Sequence, residues 1–99
     1  MTTLEKDVEQ RLVRLIKNHG GLALKWVCPG WAGVPDRIVL LPGGRIYFVE
    51  LKRPDGRPSE LQKAWAKKIR PLGFTVFFLF SKKQVDAFDQ VLTLEEAGT

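Results

Sequence analysis

Asp36 and Glu50 are two acids, and Lys52 a base, that a single β-hairpin could bring to one place. If Pro42-Gly43-Gly44 forms a three-residue hairpin loop, Leu41 pairs with Arg45, and counting back along both strands sets Asp36 opposite Glu50. Carboxylates across neighbouring strands stand about 5 Å apart, where like charges destabilise a sheet unless a cation lies between them. Side chains alternate along a strand, so Glu50 and Lys52 share one face while Leu51 points into the other layer. A hard divalent cation fits this arrangement best. Mg²⁺ takes one or two carboxylates from a protein and fills its other positions with water and phosphate oxygens, and Mn²⁺ can replace it. The chain has no Cys/His cluster of zinc spacing and no glycine-rich loop of Walker type, so neither a zinc hydrolase nor a bound nucleotide cofactor is expected.

Such a hairpin needs a frame, and the rest of the chain supplies its elements. Leu4, Val8, Leu12, Leu15 and Ile16 recur at helical spacing and predict an amphipathic helix over residues 4–18, closed by His19-Gly20-Gly21. Residues 22–27 read as a strand, Cys28-Pro29-Gly30-Trp31-Ala32-Gly33-Val34-Pro35 as a loop, and residues 37–41 and 45–52 as the hairpin strands. After a loop over residues 53–58, Ser59 opens a second helix whose expected apolar stripe is Leu61, Ala64, Trp65, Ile69 and Leu72. Residues 74–80 are almost wholly apolar, as in a strand covered on both faces. Ser81 then begins a short last helix carrying Val85, Phe88 and Leu92. The order αβββαβα predicts an α/β fold, a mixed sheet flanked by helices, in one domain spanning residues 1–99.

The ordinary alternative makes Asp36 a turn residue after Pro35, and Glu50 and Lys52 solvent-facing positions. It is weakened because Val49-Glu50-Leu51-Lys52 is an apolar-flanked run expected at the centre of the sheet, where unpaired charge is costly. A net charge of +5 and a pI near 9.7 favour a polyanionic partner, with nucleic acid the natural candidate. Cys28 is the only cysteine, which excludes an internal disulfide framework and fits a reducing compartment. The N-terminal residues carry charge at once and lack the apolar run of a signal peptide or membrane span, so the expected location is the cytoplasm.

Val34-Pro35-Asp36-Arg37, then Phe48-Val49-Glu50-Leu51-Lys52, then Gln62 on a helix, together resemble the PD-(D/E)xK nuclease signature. More closely, the chain resembles the virus-type replication-repair nuclease (VRR-NUC) domain over nearly its whole length. The resemblance implies a restriction-endonuclease-like αβββαβ core and a Mg²⁺-dependent endonuclease leaving 5′-phosphate and 3′-hydroxyl ends. It implies that Asp36, Glu50 and the Leu51 carbonyl bind metal and that Lys52 positions and helps deprotonate the attacking water. An acid from the first helix should complete the metal site; Glu5 is preferred over Glu9, one turn along the same face. Gln62 is either a site residue or the partner of Ser59 in an S-x-x-Q capping box, whereas Ser81-Lys82-Lys83-Gln84 reads as a cap only. Arg37, Arg53 and Arg57 are candidate DNA-phosphate contacts, and Trp31 a candidate DNA or dimer contact. Stand-alone domains of the family are similar to Holliday-junction resolvases, so the expectation is a homodimer on branched DNA. Trp31, or the last helix around Val85 and Phe88, would then be covered by the partner. The alternatives are a flap or nicking nuclease, or a DNA-binding module without turnover.

Overall fold

Helix α1 (Thr3–Asn18) turns Val8, Leu12, Leu15 and Ile16 inward, and all four are buried. The computed structural model describes residues 3–98, with side chains described from residue 6 onward. The helix closes as its Gly-Gly sequence requires: Gly20 takes a φ of 81° and donates to the Lys17 carbonyl, while Gly21 donates to that of Ile16. Gly21 must stay a glycine for a second reason. A Cβ there would lie 2.3 Å from the Leu40 carbonyl oxygen, so the chain passes hard against the sheet as it turns to enter it.

Four strands follow the expected order: β1 (Leu22–Lys25), β2 (Arg37–Leu41), β3 (Arg45–Leu51) and β4 (Thr75–Leu79), adjacent in the sheet as β1-β2-β3-β4. The first two pairings are antiparallel and the third is parallel, which makes the sheet mixed. The hairpin register runs from Leu41↔Arg45 to Arg37↔Val49, as the turn count requires. Pro42–Gly44 forms a 3₁₀ turn, with Gly43 and Gly44 both at positive φ. Helix α2 (Glu60–Ile69) provides the crossover between the parallel strands, and α3 (Lys82–Ala97) ends the chain.

Alternation along the strands divides the core between two layers. Val39, Leu41, Tyr47, Val49 and Leu79 face α1 and α3, whose Leu12, Ile16, Val85, Phe88 and Leu92 pack on them. Phe48 and Val76 face α2 and its Trp65 and Ala66. Phe77 packs on the first layer and Phe78 on the second, so β4 is covered on both faces even though it is an edge strand.

Three details differ from the sequence reading. β1 stops at Lys25, because Trp26 turns into the second layer, 5.1 Å from the Phe48 ring and 5.6 Å from that of Trp65. The buried residues of α2 are Trp65 and Ala66, with Ile69 partly buried, while Leu61 (59% exposed), Ala64 and Leu72 (69%) face outward. α3 is sixteen residues long, as long as α1, and its Val85 and Phe88 are in the core of the same chain and not at a surface. Among the described residues no helix is long and apolar enough to cross a membrane.

Candidate active site

The hairpin register carries Asp36 and Glu50 to one point, just beyond the last paired residues of β2 and β3. The Asp36 backbone N–H donates to Glu50 Oε1 at 3.0 Å, and the Leu51 N–H donates to Asp36 Oδ1 at 3.3 Å. Each carboxylate is thus held by the backbone of the other's strand. Lys52, on the same face as Glu50, places Nζ 3.7 Å from Glu50 Oε2. Its backbone N–H donates to the Leu79 carbonyl at 2.8 Å, which ties the end of β3 to the end of β4.

Burial raises the pKa of Glu50, the charge of Asp36 raises it further, and Lys52 offsets part of the effect. Burial raises that of Asp36 as well, against the Leu51 N–H and the charge of Arg37, with Glu9 adding to the rise. Two neighbouring carboxyls that both resist ionisation form a site short of positive charge. The donor set consists of hard oxygens, and it fits a divalent cation that takes two carboxylates and completes its shell with water. Among the described residues no group of three His, Cys, Asp or Glu side chains converges, so a closed, all-protein cage of the structural zinc type is not built here.

Asp36 and Lys52 open onto a cavity of about 840 Å³, and Glu50, 8% exposed, does not line it but meets the Lys52 side chain. Glu9 from α1 lines the same cavity. Its carboxylate is held by the guanidinium of Arg37, which also donates to the Ala23 carbonyl at 3.1 Å. Of the two acids weighed on the first helix, Glu9 therefore stands at the site, whereas the side chain of Glu5 lies outside the described residues.

Arg37 does not stand where a DNA phosphate could meet it. The inward parity of β2 buries it to 7% exposure, and its charge is spent on Glu9. Arg53 and Arg57 do line the cavity, with Arg53 Nε 3.6 Å from Asp55 Oδ1 in the same loop. Gln62 is occupied by its cap: its Oε1 accepts from the Ser59 N–H at 2.9 Å, and its own N–H donates to Ser59 Oγ at 3.1 Å. Trp31 is half-exposed, with Lys68 Nζ 5.2 Å from its ring centre. Gly33, in the same loop, has a φ of 86°, and a Cβ on it would lie 2.3 Å from the Leu61 carbonyl oxygen. That close approach seats the loop on α2 directly before Asp36. The sequence reading missed the far wall of the cavity, where Phe80, Ser81, Lys82 and Lys83 lead into α3. Its only sequence signal was a pair of lysines opening a helix that has no acid in its first turn.

No family model matches the chain. Among known proteins it is 42% identical over 78 residues to "Putative nuclease p44" of Acyrthosiphon pisum secondary endosymbiont phage 1, a match spanning 79% of this chain and 84% of that protein. Among solved structures it matches one described as a VRR_NUC domain, with a TM-score of 0.83 and 34% identity, covering 90% of this chain and 97% of that one.

Proposed function

The chain belongs to the VRR-NUC family and has its nuclease fold, and on that premise we propose that it is a Mg²⁺-dependent DNA endonuclease acting as a homodimer on branched DNA. The observation that carries the reading is the Asp36–Glu50 pair, two carboxyls held together by each other's backbone and both pushed toward protonation. Nothing in the packing of the sheet needs such a pair, and a cation explains it.

In this reading Asp36, Glu50 and the Leu51 carbonyl hold Mg²⁺, or Mn²⁺ in its place, with an acid of α1 completing the set. Held there, a divalent cation would supply Lewis-acid polarisation of the phosphate and a lowered pKa for a bound water. Lys52 stands beside Glu50, able to orient that water, take part in its deprotonation and meet charge growing on the phosphate. Attack in line by water breaks the P–O3′ bond, so the cut strand is left as one fragment ending in a 3′-hydroxyl and another beginning with a 5′-phosphate. Glu9 lines the cavity with its carboxylate held by Arg37 and, among the described residues, does not converge with Asp36 and Glu50 into a three-acid group, so it stands at the margin of the ion's site and Glu5 keeps the place of the α1 ligand.

A labelled four-way junction, a flap and a nicked duplex, each incubated with Mg²⁺, test the reading. Paired symmetric nicks on the junction are expected, with losses of about 10²-fold or more in Lys52→Ala and larger ones in Asp36→Asn and Glu50→Gln. A single nick confined to the flap would replace junction resolution by flap cleavage. Wild-type turnover in Lys52→Ala would remove that residue from the chemistry.

A further inference from the structure

β3 and β4 run parallel in the register Leu51↔Leu79, so the chain leaves both strands at the same end of the sheet. After β3 come Lys52 and Arg53; after β4 come Phe80, Ser81 and the opening of α3. That topology places Lys82 and Lys83 in the wall of the cavity onto which Asp36 and Lys52 open.

We propose that Lys82 and Lys83 form a phosphate subsite that grips the strand being cut, at a phosphate next to the scissile one. The proposal rests on the nuclease reading above and adds to it where the substrate backbone runs. Charge balance is the first argument. Apart from these two lysines, the cations lining the cavity are Lys52, Arg53 and Arg57, and the lining acids are Glu9, Asp36 and Asp55, with Glu50 against Lys52. With Glu9 offset by Arg37, those groups balance one another before the ion binds, so beyond the ion itself they offer no positive surplus for a polyanion. Lys82 and Lys83 supply it.

The second argument is that neither lysine serves the fold. Cations in the first turn of a helix oppose its dipole, and the helix is already capped by Ser81 Oγ, which accepts from the Gln84 N–H at 3.2 Å. Among the described residues Lys82 has one acid within reach, Asp7 at 4.0 Å, and both side chains of that pair are about half exposed. No acid pairs with Lys83 among the described residues. The third argument is rigidity. Val85 and Phe88 are buried, and Arg11 holds Asp86 by two hydrogen bonds of 2.7 and 2.9 Å. The lysines therefore project from a fixed helix start. At about 840 Å³ the cavity has room for more than the reacting phosphate.

The test is a salt titration of binding, read by fluorescence anisotropy on a labelled four-way junction and a nicked duplex, with Ca²⁺ replacing Mg²⁺ to slow cleavage. Each phosphate contact contributes about 0.9 to the slope of log K against log salt. Lys82→Ala/Lys83→Ala should flatten the slope by about 0.9 if both lysines share a phosphate and by about 1.8 if each takes its own. The Lys82→Arg/Lys83→Arg variant should keep the wild-type slope. In Mg²⁺ the alanine variant should raise KM and leave kcat within about twofold, since neither lysine touches the reacting atoms. An unchanged slope in the alanine variant overturns the subsite and leaves the nuclease reading standing. A flattened slope that arginine does not restore also overturns it, by pointing to a displaced helix start that far-UV circular dichroism would reveal. A wild-type protein that binds neither DNA overturns the nuclease reading itself, and the subsite with it.

Discussion

Asp36, Glu50 and Lys52 could be placed from the sequence because a hairpin turns residue counting into geometry: once the turn length is known, every cross-strand pair is fixed. The role of Arg37 could not be. Its parity in β2 decides whether it meets solvent or α1, and a charged residue on the inward face reads as exposed until its partner is known. Arg37→Ala should therefore act on folding, removing one half of a buried ion pair and lowering stability by about 3 kcal/mol in urea unfolding. A variant of full stability that had merely lost DNA affinity would return Arg37 to the DNA surface. The carboxylates predict the opposite behaviour. Because two acids held together repel, Asp36→Asn should leave the metal-free melting temperature unchanged or higher, while abolishing the rise that Mn²⁺ produces in the wild type. Equal Mn²⁺ stabilisation of wild type and variant in differential scanning fluorimetry would move the metal elsewhere.

Helix boundaries were legible wherever an end has its own chemistry, as at Ser59, Ser81 and Gly20. The apolar stripe of α2 was read one position out of phase at its N-terminal end, since Leu61 is spaced like a core residue but lies at the start of the helix, where its backbone meets Gly33 and its side chain faces solvent. Gln62 fits the capping role, so Gln62→Ala should cost about 1 kcal/mol of stability and leave kcat unchanged; a large fall in kcat at full stability would make it a site residue. His19 had been read as a residue at a helix end, and the structure gives it a larger task, joining α1 to α3. Its Nε2 lies 2.5 Å from Asp89 and its Nδ1 2.7 Å from Glu96, which Arg45 of β3 also holds at 3.0 Å. Burial opposes the positive charge, but the two carboxylates outweigh it and raise the pKa of His19 above its ordinary 6.5. A raised cationic pKa stabilises the fold fully below the unfolded value and loses that stabilisation as pH climbs through the folded one. The stability difference between wild type and His19→Gln should thus be complete near pH 6 and shrink as pH rises past 7. A difference that grew with pH would mean that His19 is neutral in the folded protein.

At the scale of the whole molecule, the fold class and the order of elements along the chain were legible because an α1-hairpin-α2-strand order leaves few ways to build a mixed sheet. Which surface remains apolar was not, since that depends on how far α2 extends across the sheet. Val85 and Phe88 themselves are buried within the chain and cannot meet a partner, although α3 exposes Val91 and Leu94. The strand register shows where further apolar surface remains. On the face that carries α2, Leu22 of β1 pairs with Leu40 of β2 and Leu40 with Ile46 of β3, while the next row begins at Leu24 beside Ile38. α2 packs over the β4 side of this face, so Leu22 (56% exposed) and Leu24 (44%) are left in water on an edge strand. An apolar face on a sheet edge invites a second copy of the same face, and a two-fold axis there would fix two active sites relative to each other. One site cuts one strand at a time, so paired nicks on a junction need that fixed relation. Leu22→Glu/Leu24→Glu should then convert a dimer to a monomer in sedimentation at micromolar concentration, because like charges would meet across the axis. Single-strand nicking of a junction should survive in that variant while the two nicks lose their pairing. A double variant that still sediments as a dimer would shift the interface to other exposed apolar surface, either Trp31 and Leu61 on the solvent side of α2 or Val91 and Leu94 of α3.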